Sequence, residues 1–280
     1  MGTRGGNKYM STANTGISKF SMFMMNPMVR KLDKVETHDD THATYGGIIR
    51  KTLFLLLLTL VGAVVFFTTN SLAPTAYNYV VEGYSVNLIE AAIVAGSLLL
   101  TLFFPIITFK FVKTSMMLGS FYSLAQGYAL AFVCHVVGNE YTYPVALAFL
   151  LTIIIVAVML IIYRMKLINI NKKFMSIIST LFFTMIICSL LVVLAGVFPP
   201  TKFIYDIIMD NSIIAIGSSV VGVVIVSLFL LVDFEIINHC VQDDLPKKYE
   251  WLAAFALSFS IIELYLKILN LILRATQKSN

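Results

Sequence analysis

Asp233, Glu235, Glu263 and Lys267 stand inside the last two long apolar stretches of a 280-residue chain. A charge in hydrocarbon costs roughly 2.5–3.5 kcal/mol at a helix centre, so such side chains face a protein interior, a partner or water. Their chemistry is proton exchange, ion pairing and contact with a passing ion. Asp233 and Glu235 are two residues apart, about 200° around a helix, and cannot share a face. Asp233, the deeper, is expected inside the bundle, and Glu235 towards a neighbour or the headgroups. Glu263 precedes Lys267 by four residues, the order that favours an intrahelical ion pair. Either these two neutralise each other, or one reaches Asp233 and makes a breakable contact between helices. Asp233 lies roughly 9 Å from the end of its stretch and Lys267 roughly 25 Å beyond the start of the next. A direct contact therefore requires Pro246–Trp251 to run along the interface before the chain dips in.

Two further polar residues stand in apolar surroundings. Glu90, near one end of the second stretch, would snorkel or line an outer vestibule. Gln126 sits beside Gly127 in SLAQGYALAF, where small residues permit close helix approach and a hydrogen-bonded packing role. HDDTH (His38–His42) has metal-capable groups, but a polar tail gives them no geometry, so no metal site is expected. His135 and His239 are single and read as structural. Cys134, Cys188 and Cys240 are isolated in or beside apolar segments and form no CxxC, so inert thiols are expected. With no Walker A, GxSxG or HExxH motif, neither an enzyme nor a cofactor is indicated.

The elements that must position these residues follow from composition. The chain is 59% hydrophobic and 12% charged, with a mean hydropathy of +0.88, against about 25% charged residues in soluble domains. This is a polytopic all-α membrane protein, and its solvent partner is the lipid bilayer. The net charge of +5 does not point to nucleic acid, because Lys and Arg cluster in loops beside the spans. Residues 1–48 form a polar, largely disordered tail, in which Ser18–Leu32 either makes a short interfacial helix or stays mobile. No cleavable signal peptide precedes the first apolar run. Seven apolar stretches follow, at about 50–70, 86–109, 115–137, 142–163, 174–197, 212–238 and 250–273, each able to cross about 30 Å of hydrocarbon. They place a seven-helix transmembrane domain at residues 49–274, ahead of a short tail at 275–280. Sixteen of the twenty Lys and Arg residues fall on one side of that arrangement and three on the other, Lys267 being the last. By the positive-inside rule the N-terminus is cytoplasmic and the C-terminus lies across the membrane.

With the last two helices laid out, the chain resembles the Bax inhibitor-1/YccA-like family, also called the transmembrane Bax inhibitor motif family, and its bacterial branch in particular. The residues that carry the resemblance are LVDFEIINHCVQDDLPKKYEWLAAFAL (Leu231–Leu257) and LYLKILNLIL (Leu264–Leu273). NPMVRKL (Asn26–Leu32), SLAQGYALAF and YRMKLININ-KKF (Tyr163–Phe174) support it. The resemblance implies a seven-helix bundle with its last helix central and a pH-sensitive calcium leak, and the lack of targeting signals fits a bacterial plasma membrane. It also implies two carboxylates, on the sixth and seventh helices, that share a proton; like charges at close range raise one pKa. Asp233 matches the sixth-helix acid. The seventh-helix acid falls at the fourth position of LYLK, which here is Lys267, and the acid often found in the third helix is here Gln126. Glu263, one turn earlier, is then the carboxylate available to replace the missing one. The alternative to a leak is a non-conducting membrane protein that regulates partner proteins. A photoreceptor, suggested by a lysine in a seventh helix, lacks an aromatic retinal box: the only tryptophan, Trp251, sits at an interface.

Overall fold

The structure is a computed structural model that describes residues 42–72, 78–81, 84–87, 112–137, 142–197 and 212–277, together with residues 96, 107, 108, 203 and 207. Among them are six long helices: α1 (Tyr45–Leu72), α2 (Ser115–Val137), α3 (Thr142–Arg164), α4 (Lys172–Val197), α5 (Ser212–Gln242) and α6 (Tyr249–Gln277). Five of these, all but α2, contain segments long and apolar enough to cross a membrane. One departure from an all-α chain lies between α1 and α2, where β1 (Asn78–Val81) pairs antiparallel with β2 (Tyr84–Asn87). Val86 and Asn87, expected to open the second apolar stretch, belong to β2. Glu90, the Ser18–Leu32 segment and most of that second stretch lie outside the described residues.

Local chemistry sets the helix limits. Thr44 caps α1 by accepting the Gly47 N–H (3.0 Å), and Asn171 Oδ1 caps α4 by accepting the Phe174 N–H (2.8 Å); both satisfy donors that a helix start leaves open. α1 therefore begins at Tyr45, five residues before the start of the apolar stretch expected from hydropathy. α5 ends through Asp244, whose positive φ of 49° turns the chain, and a short connection leads into α6. Asp and Asn tolerate that left-handed region better than most residues.

Contacts along the helices fix their directions. Lys51 and Phe54 meet Glu250 and Trp251 in that order, Gly119 and Tyr122 meet Phe255 and Phe259, and Phe182 and Ser189 meet Phe259 and Lys267, so α1, α2 and α4 run parallel to α6. Tyr163 meets Phe234 and Phe182 meets Phe229, so α3 runs with α5, against α4 and α6. The starts of α1 and α6 and the ends of α3 and α5 thus share one end of the bundle. That end carries Arg50, Lys51, Arg164, Lys166, Lys247 and Lys248, and is here called the basic end.

Burial ranks the helices by their neighbours. The apolar window of α6 is 72% buried and that of α5 61%, whereas that of α3 is 11% buried. α6 packs against α1, α2, α3 and α5, so the last helix is the most enclosed one. α3 turns Phe149, Leu150, Ile153, Ile154 and Ile161 outward, as a helix surrounded by lipid can. α1 and α2 approach backbone to backbone: a Cβ on Gly127 would lie 1.9 Å from the Thr59 carbonyl oxygen, and one on Gly62 would lie 2.2 Å from that of Leu124. Only glycine allows this crossing, because dispersion and close backbone contact hold helices together in lipid.

Candidate functional site

The buried run Phe229–Phe234 of α5 faces the buried run Leu252–Ser260 of α6. Asp233 stands in that seam, 1% exposed, and among the described residues neither carboxylate oxygen has a hydrogen-bond partner. Ser260 lies beside it, but the Ser260 hydroxyl donates to the Ala256 carbonyl (3.2 Å). Two more hydroxyls, of Ser123 on α2 and Ser179 on α4, are also fully buried and, among the described residues, without a partner. Counted from the basic end, all four residues lie seven to eleven positions along their helices, a common depth of roughly 10–17 Å. Buried polar groups in proteins are nearly always paired. Four helices here carry polar groups at one level and leave most of them open.

Next to this level lies a layer of rings. Phe182 stacks on Phe229 with centroids 4.0 Å apart and planes 6° from parallel. Phe259 packs edge-on to Phe182 at 6.0 Å, and Tyr122 contacts Phe255 (5.2 Å) and Phe259 (5.8 Å). Such ring pairs favour one another beyond their burial alone. The layer joins α2, α4, α5 and α6.

Glu235 is turned away from Asp233, as a two-residue spacing requires. It accepts a hydrogen bond from the Tyr163 hydroxyl (2.9 Å) and meets His239 Nε2 (3.5 Å), while His239 Nδ1 meets Asp243 (3.2 Å). This row runs along α5 to the basic end. His239, at 49% side-chain exposure, belongs to the surface.

Lys267 and Glu263 stand apart from Asp233. The Lys267 ammonium donates to Ser189 Oγ on α4 (3.2 Å). Its methylene stem lies over Gly222, where a Cβ would come within 3.3 Å of Lys267 Cδ. The expected intrahelical pair is not formed: Glu263 makes no ion pair among the described residues. Nor is the salt bridge between Asp233 and Lys267 formed. Lys267 is seven residues beyond Ser260, roughly 10 Å further along α6, so the depth mismatch persists in the fold. Gln126 is buried on α2 next to the glycine crossing.

Sequence reasoning passed over Ser260, Ser123 and Ser179, because serine is an ordinary residue of membrane helices. It also passed over Glu250, which is 1% exposed and ion-paired with Lys51. The available signal was an acid followed immediately by a run with no other charge up to Glu263.

Among the described residues no group of three or more His, Cys, Asp or Glu side chains is placed to hold a metal ion. No curated protein matches the chain in sequence. A family model described as Bax inhibitor 1 like matches residues 24–277. That span includes all six helices and the Asp233 centre, so the chain is a multi-pass membrane protein that belongs to the Bax inhibitor 1 like family.

Proposed function

We propose that the protein is a pH-modulated leak for calcium or other cations, with Asp233 as the group a permeating ion meets. The observation that carries this reading is the buried carboxylate without a partner. Nothing in the packing explains an acid there, and its charge changes with protonation, so ion passage through the centre would respond to pH. The aromatic layer next to it would be the barrier that keeps such a leak closed at rest. Helix directions support a seven-span topology. α1 and α2 both leave the basic end, so the chain between them has to return, and the apolar stretch 86–109 is the segment of the sequence able to do so. With the basic end cytoplasmic, the N-terminus lies inside and a bacterial plasma membrane is the setting.

The test is calcium flux into proteoliposomes at acidic and neutral pH. The parent protein should leak in a pH-dependent manner, and Asp233→Asn should lose that dependence, with flux falling at least about tenfold, the equivalent of 1.4 kcal/mol. Equal flux and equal pH response in the two proteins would overturn the reading. A non-conducting regulator is the second reading, favoured by the serine, rather than a second carboxylate, beside Asp233. No flux above protein-free vesicles at either pH would establish it in place of the leak.

A further inference from the structure

We infer that Thr44, Gly47, Lys51 and Glu250 form a latch that joins the start of α1 to the start of α6, and that its release opens a water route from the basic end to Asp233. The inference rests on the reading of Asp233 as a site that water and ions reach. Nothing in the family match assigns these four residues.

The latch is a capping box assembled from two distant pieces of chain. In the usual box a Ser or Thr cap accepts the N–H of the third helical residue, and a Glu at that third position accepts the cap's own N–H. Thr44 performs the first half with Gly47. Gly47, at the third position, has no side chain for the second half. Glu250, from the first turn of α6, supplies it: Glu250 Oε1 accepts the Thr44 N–H (2.9 Å) and the Thr44 hydroxyl (3.1 Å). Its other oxygen, Oε2, accepts from the Lys51 ammonium. Gly47 makes room for the carboxylate, since a Cβ there would lie 2.3 Å from Glu250 Oε1. The Lys51 ammonium also sits 5.1 Å from the centre of the Trp251 ring, which meets Phe54 edge-on at 6.0 Å.

The chain just before α1 extends the contact. Ala43 N–H donates to the Leu245 carbonyl (2.8 Å), His42 Nδ1 lies 3.0 Å from the Asp244 carbonyl, and His42 and Pro246 form an antiparallel bridge. The segment 42–51 is thereby tied at several points to the connection that leads from Asp233 on α5 to Ser260 on α6. Ser260 is ten residues along α6 from Glu250, roughly 15 Å deeper. Separating α1 from α6 would uncover this path, and the latch is the polar contact that resists it. Glu250, enclosed with its cation, serves as the closure at the surface, and Asp233 as the site beneath.

Gly47→Ala tests the idea without removing any charge. Alanine is the better helix former, so the substitution does not weaken α1 by propensity, yet its methyl group occupies the place of the Glu250 carboxylate. The probe is the rate at which a water-soluble maleimide labels an Asp233→Cys protein, read by peptide mass so that Cys134, Cys188 and Cys240 are scored separately. Labelling should rise at least about tenfold when Gly47→Ala or Glu250→Gln is added, and Lys51→Arg, which keeps the charge, should stay close to the Asp233→Cys parent. Emission from Trp251, the sole tryptophan, should become more quenchable by aqueous iodide in the same two variants. Flux is measured in parallel on the Asp233-containing proteins. Faster labelling without flux leaves the latch standing and removes the leak. Unchanged labelling at position 233 in both latch variants overturns the latch, whatever the flux. Faster labelling in Lys51→Arg as well would mean general loosening and would also overturn it.

Discussion

Asp233 is where the residue-level physics is least comfortable. An unpartnered polar group in a protein interior costs about 1–3 kcal/mol, and more when charged. Its surroundings are Leu230, Leu231, Val232 and the α6 run, all buried, where the neighbouring Ser260 hydroxyl donates to the Ala256 carbonyl. Replacing Asp233 with Leu should therefore stabilise the bundle by about 1–3 kcal/mol, seen as a higher unfolding midpoint in detergent, while abolishing the pH response of flux. An unchanged or lower midpoint would show that Asp233 has partners when the protein is in its membrane. The acid itself was legible from sequence, because a charge between Val232 and Phe234 is conspicuous. Its neighbour was not. Deciding which α6 residue stands opposite requires the depth at which the Asp243–Lys248 connection re-enters the bundle, and that depends on turn geometry at Asp244 that hydropathy does not encode. Lys267 was the visible candidate because it is charged; Ser260 is the residue the register delivers. For the same reason Lys267→Met should leave the pH dependence of flux intact, provided Lys267 acts only through Ser189, and a lost pH dependence would tie Lys267 to Asp233 after all.

At the scale of elements, the α1–α2 crossing is held by absence of side chains. Gly62 and Gly127 let each helix's backbone meet a carbonyl of the other at distances no Cβ tolerates. Gly127→Ala should thus destabilise the protein by about 1–3 kcal/mol, the usual cost of overpacking, even though alanine suits a helix better. Gly46→Ala, at a position where a Cβ would meet nothing, is the matched control and should be neutral or slightly stabilising. Thermal unfolding of the two variants separates packing from propensity; equal midpoints would remove the crossing from the account. Gly127 in SLAQGYALAF already pointed to close helix approach, but its partner could not be read from the chain. Thr59 and Gly62 lie in a uniformly apolar run, and such a helix shows no preferred face in its pattern. The limits of the helices were legible for a similar reason in reverse. Hydropathy marks where lipid contact ends, so α3 and α6 agree with expectation to within a few residues, while α1 starts earlier because Thr44 and Glu250 cap it.

Across the whole molecule, four of the described helices lead away from the basic end and two lead back. On the proposed topology the chain recrosses once more between α1 and α2. The seven crossings proposed above combine the apolar length of residues 86–109 with the sidedness of loop charge counted on that arrangement. Contact directions fit it as well, because Leu55 lies beside Gly119 and Phe66 meets Phe132, so α1 and α2 run parallel. Seven crossings would put the two chain ends on opposite sides. A cysteine introduced by Lys166→Cys or Lys247→Cys should therefore be labelled from the same side as one placed at the N-terminus, and one introduced by Asn280→Cys from the other, in sealed vesicles with a membrane-impermeant maleimide. The native cysteines serve as an internal check, Cys240 being buried and Cys188 exposed on the side of α4. Labelling of Asn280→Cys from the Lys247→Cys side would mean an even number of crossings.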